Sequence, residues 1–313
     1  MLSRTADQLY WMARYVERAE NMARILDVSY RMSLMPDGTR DGASEWGSAL
    51  QIAGSWDDFE QRYGKVTRAN VIRFVALDPD NPSSIYSCLK AARENARALR
   101  GTVTTEMWES LNATWFDMQS IDEERLVTTG YRDFFDWVKE RSHLFRGVID
   151  GTLLMDDSFH FISLGAAIER AENTARLLDG KYHVLLPSVS DVGGALDYYQ
   201  WGAVLRSVSA FGAYHRIFSN VISPDRVAEL LILRDDMPRS LHACFNRITE
   251  SLDNLCGDRN YECRRMAGEL HARLHFGQMR EIFENGLHEF LTGFVDKHSA
   301  FAVQMQRDFL MIT

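Results

Sequence analysis

The sequence predicts an all-α protein, a helical bundle built from two duplicated halves, and three observations support this prediction. Apolar residues recur at helical spacing along most of the 313 residues. The six prolines fall where helical patterns start or stop. An eleven-residue charged segment occurs twice, and such internal repetition indicates repeated structural units. We therefore expect halves 1–150 and 151–313, related by a pseudo-two-fold axis and forming one compact structural unit.

The first helix is predicted from Ser3, a suitable N-cap residue, to about residue 32. Its apolar stripe consists of Val16, Ala19, Ala23 and Leu26. The same periodicity predicts further helices at about 67–77, 83–100, 103–118, 131–149, 159–184, 195–219, 225–234, 239–255, 261–275 and 279–309. The polar, glycine-containing stretches 36–47 and 187–194 are predicted to be loops, and no alternating pattern predicts a β-strand.

Composition excludes several classes of function. The net charge of -9 and the pI near 5.5 argue against nucleic-acid binding, which needs clustered lysine and arginine. No apolar run approaches the roughly 20 residues of a membrane helix, and the first residues do not resemble a signal peptide, so we expect a cytoplasmic protein. The cysteines form no CxxC pair and are expected to be buried apolar residues: Cys88, Cys244, Cys256 and Cys263.

The repeated segment is the most informative feature. Residues 17–27 and 169–179 share the pattern Glu-Arg-Ala-Glu-Asn-x-Ala-Arg-x-Leu-Asp, where x is Met or Thr and then Ile or Leu. A fainter match follows, between residues 71–85 and 227–241, and it brings Cys88 into register with Cys244. Because the order is the same in both halves and the spacing differs by only a few residues, gene duplication and fusion explain the repetition better than chance.

The polar residues of the segment share one side of the predicted helix. At about 100° per residue they span roughly a 140° arc opposite the apolar stripe, with Arg18 at its edge. One interpretation is that this face is exposed to solvent, where a Glu20–Arg24 ion pair would stabilise the helix by only about 0.3–0.5 kcal/mol. A solvent-exposed face requires only that its residues be polar, however, whereas here each polar position carries the same residue type in both copies. This match favours burial of the two faces against each other or against a shared ligand.

Buried faces leave two uses open. The charged residues could form a structural ion network that holds the halves in register. Alternatively, paired carboxylates could hold Mg²⁺ or a substrate ammonium, while Arg24 and Arg176 bind a carboxylate or phosphate. The candidate substrate- or ligand-binding residues are Glu17, Arg18, Glu20, Asn21, Arg24, Asp27, Glu169, Arg170, Glu172, Asn173, Arg176 and Asp179.

Secondary candidates are weaker. The motif is echoed by Arg93, Glu94, Asn95 and Arg97, for which an intrahelical surface pair is the favoured interpretation. Arg239 and Ser240 stand at a predicted helix start that could bind an anion, although ordinary capping is favoured. His271 and His275 are spaced i, i+4, yet the glutamate of HExxH is absent, so we expect no zinc and no other metal site of this kind. No catalytic residue is assigned, because no nucleophile elbow, phosphate loop or Cys-His arrangement is recognisable.

The opening residues 1–4, together with residues 9–21, resemble the start of the bacterial alpha-E family, named for its α-helices and its Glu-Arg motif. Residues 92–97, 108–112 and 237–240 are similar to later motifs of that family. Ala13 stands where glycine is frequent, while Gly165 occupies the equivalent position of the second copy. The resemblance spans most of the chain.

The resemblance implies a role in ATP-dependent amide-bond formation. Members of that family are typically encoded beside, or fused to, a circularly permuted ATP-grasp ligase, often with a transglutaminase-like peptidase nearby. It implies an accessory or substrate-presenting subunit that has such a ligase, and a transglutaminase-like protein, as partners. Two alternatives stay open: a stand-alone carboxylate- or metal-dependent enzyme of peptide or amine metabolism, and a purely architectural helical interaction protein.

Overall fold

The structure, a computed structural model, describes residues 1–33, 43–184, 195–218 and 221–310, and within these ranges it is helical and contains no β-strand. The all-α prediction is therefore confirmed. The α-helices of the described ranges are α1 Ser3–Ser33, α2 Ala43–Ile52, α3 Trp56–Tyr63, α4 Arg68–Ile72, α5 Ile85–Ala98, α6 Thr105–Gln119, α7 Glu123–Thr129, α8 Tyr131–Thr152, α9 Asp157–Val184, α10 Ala195–Ser207, α11 Phe211–Phe218, α12 Pro224–Ile232, α13 Leu241–Cys256, α14 Glu262–His275, α15 Met279–Asn285 and α16 Leu287–Phe309, with a π-helical turn Arg73–Leu77 continuing α4.

The chain divides into two compact units. Unit 1 comprises residues 1–169 and 309–313, and unit 2 comprises residues 170–308. The division falls inside helix α9, so each unit contains part of that helix. The expected halves 1–150 and 151–313, and their union in one compact body, stay predictions.

Helix α1 is the central helix of unit 1, where it packs against α5, α8 and α2. Its predicted apolar stripe is buried, as the amphipathic pattern requires. Between residues 16 and 27, however, the opposite side is buried as well, and only Arg18 reaches intermediate exposure. Helix α1 is therefore surrounded by protein along this segment rather than lying on the surface.

A close backbone approach in unit 1 joins the start of α9 to α1. A Cβ placed on Gly165 would lie 2.3 Å from the carbonyl oxygen of Tyr10, so only glycine fits at this crossing. One helical turn later, Glu169 faces the side of α1 that carries Arg14 and Arg18. The glycine thus brings a motif residue of α9 into hydrogen-bonding distance of α1.

In unit 2, α13 packs against α14, and α12 packs against α15. The fully buried ring of Phe245 on α13 makes edge contacts with Phe294 on α16 and lies near Phe301 and His298 of the same helix. These aromatic contacts hold α13 and α16 together in the core of this unit.

A serine side chain caps α5 in unit 1, and another caps α13 in unit 2. The Ser84 hydroxyl accepts a hydrogen bond from the Ser87 amide (3.1 Å) and donates one to the Asp78 carbonyl (2.7 Å). The Ser240 hydroxyl likewise accepts from the Ala243 amide (2.9 Å) and donates to a backbone carbonyl, that of residue 234. Helices α5 and α13 therefore begin two residues later than their patterns predicted, because the side-chain cap, rather than the preceding proline, sets the first helical residue.

Several predicted boundaries are corrected by the structure. The loop predicted at 36–47 is wrong for its last part, since α2 begins at Ala43, while residues 34–42 and 187–194 lie outside the described residues. The short helices α3 and α7 were not predicted, because seven or eight residues carry too little periodicity. The helices predicted at 195–219 and 279–309 are each divided, at Ser209 (φ 56°) and at Gly286 (φ 95°).

The four cysteines are buried and unbonded to one another, as predicted. Burial raises the pKa of the Cys88 thiol to about 12, an effect that the nearby Arg18 only partly offsets. Burial likewise raises the pKa of Cys263. Because the thiolate is the reactive form, these two cysteines are not nucleophiles at neutral pH.

A buried network of charges around the Glu-Arg helix

The motif residues of α1 are buried, with the exception of the partly exposed Arg18. Glu17 and Glu20 are 1% and 0% exposed, and Asn21, Arg24 and Asp27 are also buried. The interpretation as a solvated face is therefore wrong for this copy, and its expected burial is confirmed, whereas burial against the other copy or against a shared ligand stays a prediction. An ionised side chain in such surroundings needs definite partners.

Glu20 lies at the centre of the network. Its Oε1 accepts hydrogen bonds from Arg24 one turn away on the same helix, with Nε at 2.8 Å and Nη2 at 2.7 Å. Its Oε2 accepts from the Ser142 hydroxyl at 2.7 Å and from Arg146, both on α8. The same Arg146 Nη1 lies 3.2 Å from Glu17 Oε2, so one guanidinium bridges the two glutamates.

The network extends along α1 to Asp27, whose carboxylate accepts from Arg31 Nε (2.9 Å) and from Lys139 Nζ (3.0 Å). Between these contacts lies His143, with Nε2 3.6 Å from Glu20 and 3.4 Å from Arg24 Nη2. The His143 side chain is 55% exposed, so the network reaches solvent at this point.

Four residues of α8 supply partners to the α1 network, and none of them was predicted from the sequence. They are Lys139, Ser142, His143 and Arg146. Their spacing of i, i+3, i+4 and i+7 places them on one helix face. A polar stripe of this period on a long helix, matched to a charged stripe on another, is the signal that would have identified them.

Glu169 is held by two arginines of α1. Its Oε2 accepts from Arg14 Nε (2.8 Å) and lies 2.7 Å from Arg14 Nη2, and its Oε1 accepts from Arg18 Nε at 2.6 Å. Burial alone would raise the pKa of Glu169, but the charges and hydrogen bonds of Arg14 and Arg18 outweigh it and bring the pKa to about 2. The same pairing raises the pKa of Arg18 despite its burial. This is a permanently charged cluster at any physiological pH.

The second copy of the motif differs in exposure. Glu172 and Arg176 form the same i, i+4 pair as Glu20 and Arg24, with Nη2 2.9 Å from Oε1, but their side chains are 25% and 39% exposed. Asp179 Oδ1 lies 2.6 Å from Nδ1 of His288 on α16. Arg170 is buried and Asn173 is half-buried. Identical polar residues therefore form a buried cluster on α1 and a half-exposed pair on α9, so the expected burial of the second face is not met at Glu172 and Arg176.

The secondary candidates have ordinary structural roles. Glu94 pairs with Arg93 and with Arg97 (2.8 Å), and Arg97 is exposed whereas Glu94 is partly exposed, while Arg93 also donates to Asn112 at 3.1 Å. The hydrogen bond from Arg93 lowers the pKa of Glu94. Asn95 is half-buried on the same helix.

At the other secondary position, Ser240 caps α13, as favoured from the sequence. Arg239 is buried, and its carbonyl accepts from the Thr174 hydroxyl at 2.9 Å. Neither residue presents the open helix terminus that an anion site needs.

An open cavity of about 1000 Å³ lies elsewhere in unit 1. Its charged lining includes Arg62 and Arg73 together with Asp78, Asp80, Asp122, Glu123 and Glu124. None of the residues selected from the sequence lines it. Asp78 is already engaged, because it accepts from the Tyr63 hydroxyl at 3.1 Å and lies 3.5 Å from Arg62.

The balance of charges in the network indicates what it can bind. Its acids within the described residues are Glu17, Glu20, Asp27, Asp136 and Glu169, and its cations are Arg14, Arg18, Arg24, Arg31, Lys139 and Arg146. Within the described residues the cations exceed the acids by one, six against five, and this balance favours an added anion over an added cation. A magnesium ion at Glu17 and Glu20 would compete with Arg146, which already neutralises both carboxylates.

The fold and the site together define a class: all-helical proteins in which a Glu-Arg helix is enclosed by a charged network. Within the described residues, no helix has both the length and the apolar character required to cross a membrane.

The chain belongs to the Alpha-E family, described as a predicted alpha-helical domain with a conserved ER motif, whose model matches residues 1–310. It is similar to uncharacterized proteins of Mycobacterium bovis (25% identical) and Mycobacterium tuberculosis (25% and 24% identical), each over 308 residues. The match covers 91% of this chain but 34% of each relative, so the chain spans about a third of their length. No solved structure matches the chain.

Proposed function

We propose that this protein is a cytoplasmic accessory or substrate-presenting module of an ATP-grasp-type amide ligase system, and that the network of unit 1 receives an anionic group. The ligase would supply the nucleotide chemistry, and this chain would orient the acid to be activated or the acidic surface of the ligase. A transglutaminase-like protein is a further partner in this proposal. A match to only a third of each longer relative supports a module that works with additional protein domains.

One observation carries the proposal: Arg146 holds two buried glutamates yet has a side chain that is 28% exposed. A guanidinium fixed on one side by Glu17 and Glu20 is preorganised to donate its remaining N–H groups outward. His143 lies beside it and is more exposed still. A carboxylate or phosphate at this edge would meet cations that are already positioned, which lowers the entropic cost of binding.

A specific observation favours an architectural role for part of the network. Glu169 receives hydrogen bonds from two arginines and is itself 7% exposed, so its carboxylate is saturated by protein groups. We propose that Glu169, Arg14 and Arg18 act as an ion-pair clasp, while the Arg146 edge acts as the binding face. The two roles are separable by substitution.

The internal duplication is also a proposal, and several paired features support it. The Glu-Arg segments recur, Ser84 and Ser240 make equivalent capping contacts, and Gly130 and Gly286 each have positive φ directly before a long helix. The predicted pseudo-two-fold axis stays a prediction.

The test uses the full chain co-expressed with a circularly permuted ATP-grasp ligase of the same genome. The substitution Arg146→Lys keeps the positive charge but removes the planar fork of donors. We expect it to abolish ATP-dependent amide formation per folded molecule, and to cost less stability than removal of the charge would, because the buried glutamates keep a cationic partner. The matched control is Arg132→Lys on the same helix, whose side chain is 61% exposed and pairs only loosely with Asp136 at 3.8 Å.

Three outcomes separate the alternatives. Unchanged product formation by the Arg146→Lys variant would reject the binding face. Loss of melting temperature with unchanged product per folded molecule would favour a purely architectural network. Turnover by the purified chain without a ligase would favour the stand-alone enzyme.

A further inference from the structure

Three histidines of unit 2 meet at one end of helices α13 and α14. His242 is the second residue of α13, and His271 and His275 lie in the last two turns of α14. One ring nitrogen of each lies within 4.8 Å of those of the other two. His271 and His275 were expected from their spacing to share a face, but His242 comes from another helix and was not selected from the sequence.

The hydrogen bonds of two of these rings fix which nitrogen is available. His242 Nδ1 lies 2.7 Å from the Leu233 carbonyl oxygen, which can only accept, so Nδ1 carries the proton and Nε2 keeps its lone pair. His271 Nε2 lies 2.6 Å from the Asn246 side-chain oxygen, which leaves Nδ1 as the acceptor. Metal-binding histidines are characteristically oriented in this way, by donating the other ring N–H to a carbonyl or similar group.

His242 provides the decisive observation. The residue is only 6% exposed, and its Nε2 is buried without a hydrogen-bond partner in the described part of the chain. A buried polar atom without a partner costs roughly 1–3 kcal/mol, so such atoms are rare and call for an explanation. Here the orphaned lone pair belongs to the same cluster as two further imidazoles.

We propose that His242, His271 and His275 bind a divalent transition-metal ion of the Zn²⁺ class through three imidazole nitrogens, with a fourth position open to water or a small ligand. Three protein nitrogens with an open position are a common arrangement for zinc. The ion would supply the missing partner of His242 Nε2. This inference does not rest on the proposed function, because all three histidines lie in unit 2.

The spacing requires little adjustment. Tetrahedral Zn–N bonds of 2.0–2.1 Å place the nitrogens about 3.3 Å apart, so the rings must approach by about 1.5 Å at most. The exposed His275 can make most of this movement, since His242 and His271 are fixed by their hydrogen bonds.

The backbone around the cluster is closely packed. A Cβ on Gly277 would lie 2.5 Å from the Arg273 carbonyl oxygen and 3.2 Å from Leu233 Cδ2. Leu233 is also the residue whose carbonyl orients His242. The end of α14 is therefore held against the residue that fixes the first histidine, which keeps the three rings on one small surface.

The other unit provides an internal comparison. At the offset of 156 residues that relates Cys88 to Cys244, the counterparts of His242 and His271 are Tyr86 and Trp115. Those two rings simply pack edge to face, with centroids 5.0 Å apart. An aromatic pair thus satisfies the packing requirement of this location, and histidines are not needed for it.

The test is a titration of the tag-free, chelator-treated full chain with Co²⁺ and with Zn²⁺. We expect one equivalent of Co²⁺ to bind, to produce visible absorption bands of a four-coordinate site, and to be displaced by Zn²⁺. The variants His271→Ala and His275→Ala should weaken binding by at least the roughly 10–100-fold that loss of an outer partner typically costs. The variant Asn246→Ala should weaken it within that range, because Asn246 only orients His271.

Two controls keep the outcome interpretable. His275→Ala removes an exposed ring and should leave the circular dichroism spectrum and melting temperature of the metal-free chain unchanged. His215→Gln on α11 removes a histidine outside the cluster and should bind metal like the unsubstituted chain. The proposal is overturned if the unsubstituted chain binds no stoichiometric Co²⁺ or Zn²⁺. It is also overturned if the folded His275→Ala variant binds these ions as tightly as the unsubstituted chain binds them.

Discussion

The substitution Glu169→Gln tests whether the clasp of unit 1 is a major source of stability. It removes the negative charge that Arg14 and Arg18 share, while it keeps the size of the side chain. Removing one partner of a buried ion pair costs about 3–5 kcal/mol, because the remaining charge loses its compensation. The depressed pKa of Glu169, about 2 against an ordinary 4.5, corresponds to about 3 kcal/mol by linkage, which agrees in size.

The effect has a defined pH dependence. A carboxyl group with a lowered folded-state pKa stabilises the protein fully above its unfolded pKa, and this contribution is lost as pH falls through the folded pKa. The stability difference between the unsubstituted chain and Glu169→Gln should therefore be constant above about pH 5 and shrink between about pH 4.5 and pH 2.

Thermal and urea unfolding followed by circular dichroism measure this difference. At pH 7 a loss of about 3 kcal/mol should lower the melting temperature by roughly 6–12 °C for a unit of this size. The matched control is Glu172→Gln, the same change one turn later on the same helix, in a half-exposed pair with Arg176. It should cost less than about 1 kcal/mol. Equal losses in the two variants would refute the reasoning that burial, rather than the motif itself, determines the energy.

Three further predictions follow from the same contacts. Glu20→Gln leaves Arg24 and Arg146 under-compensated and should cost about 3–5 kcal/mol in urea unfolding, and a cost under about 1 kcal/mol would contradict its burial. Ser84→Ala and Ser240→Ala should each lower the free energy of unfolding by about 1 kcal/mol or more, because each hydroxyl caps a helix and also donates to a backbone carbonyl. If both variants were as stable as the unsubstituted chain, this prediction would be wrong. Gly165→Ala should lower stability by about 1–3 kcal/mol by crowding the α1 backbone, whereas Gly147→Ala, with open space around it, should raise stability by about 0.5–1 kcal/mol in the same assay.

The long helices could be predicted from the sequence because their apolar periodicity extends over many residues. Helix α1 is the clearest example, since the predicted end at residue 32 lies one residue from Ser33. Helices α3 and α7 could not be predicted, because they depend on the Phe59 and Leu126 side chains entering a core formed by distant segments. Local pattern contains no information about such contacts.

The site was predicted in part. The matching polar identities of the two motif segments correctly indicated that the α1 face is buried, as Glu17 and Glu20 show. The difference between the copies could not be inferred, because exposure depends on which residues of other helices face each segment. Arg146 and His242 were not predicted for the same reason: the part that each plays in a site depends on contacts with residues of another helix.

The enclosure of α1 has a consequence during synthesis. Arg14 cannot pair with Glu169 until Glu169 has been synthesised, 155 residues later. At a synthesis rate of about 5–20 residues per second, this delay is roughly 8–30 s. During that interval α1 can already pack against α2 and α5, but the guanidinium groups of Arg14 and Arg18 do not yet have the Glu169 carboxylate beside them. The buried ion pairs of unit 1 are therefore completed only after the first turns of α9 have been synthesised, later than the apolar contacts of α1 with α2 and α5.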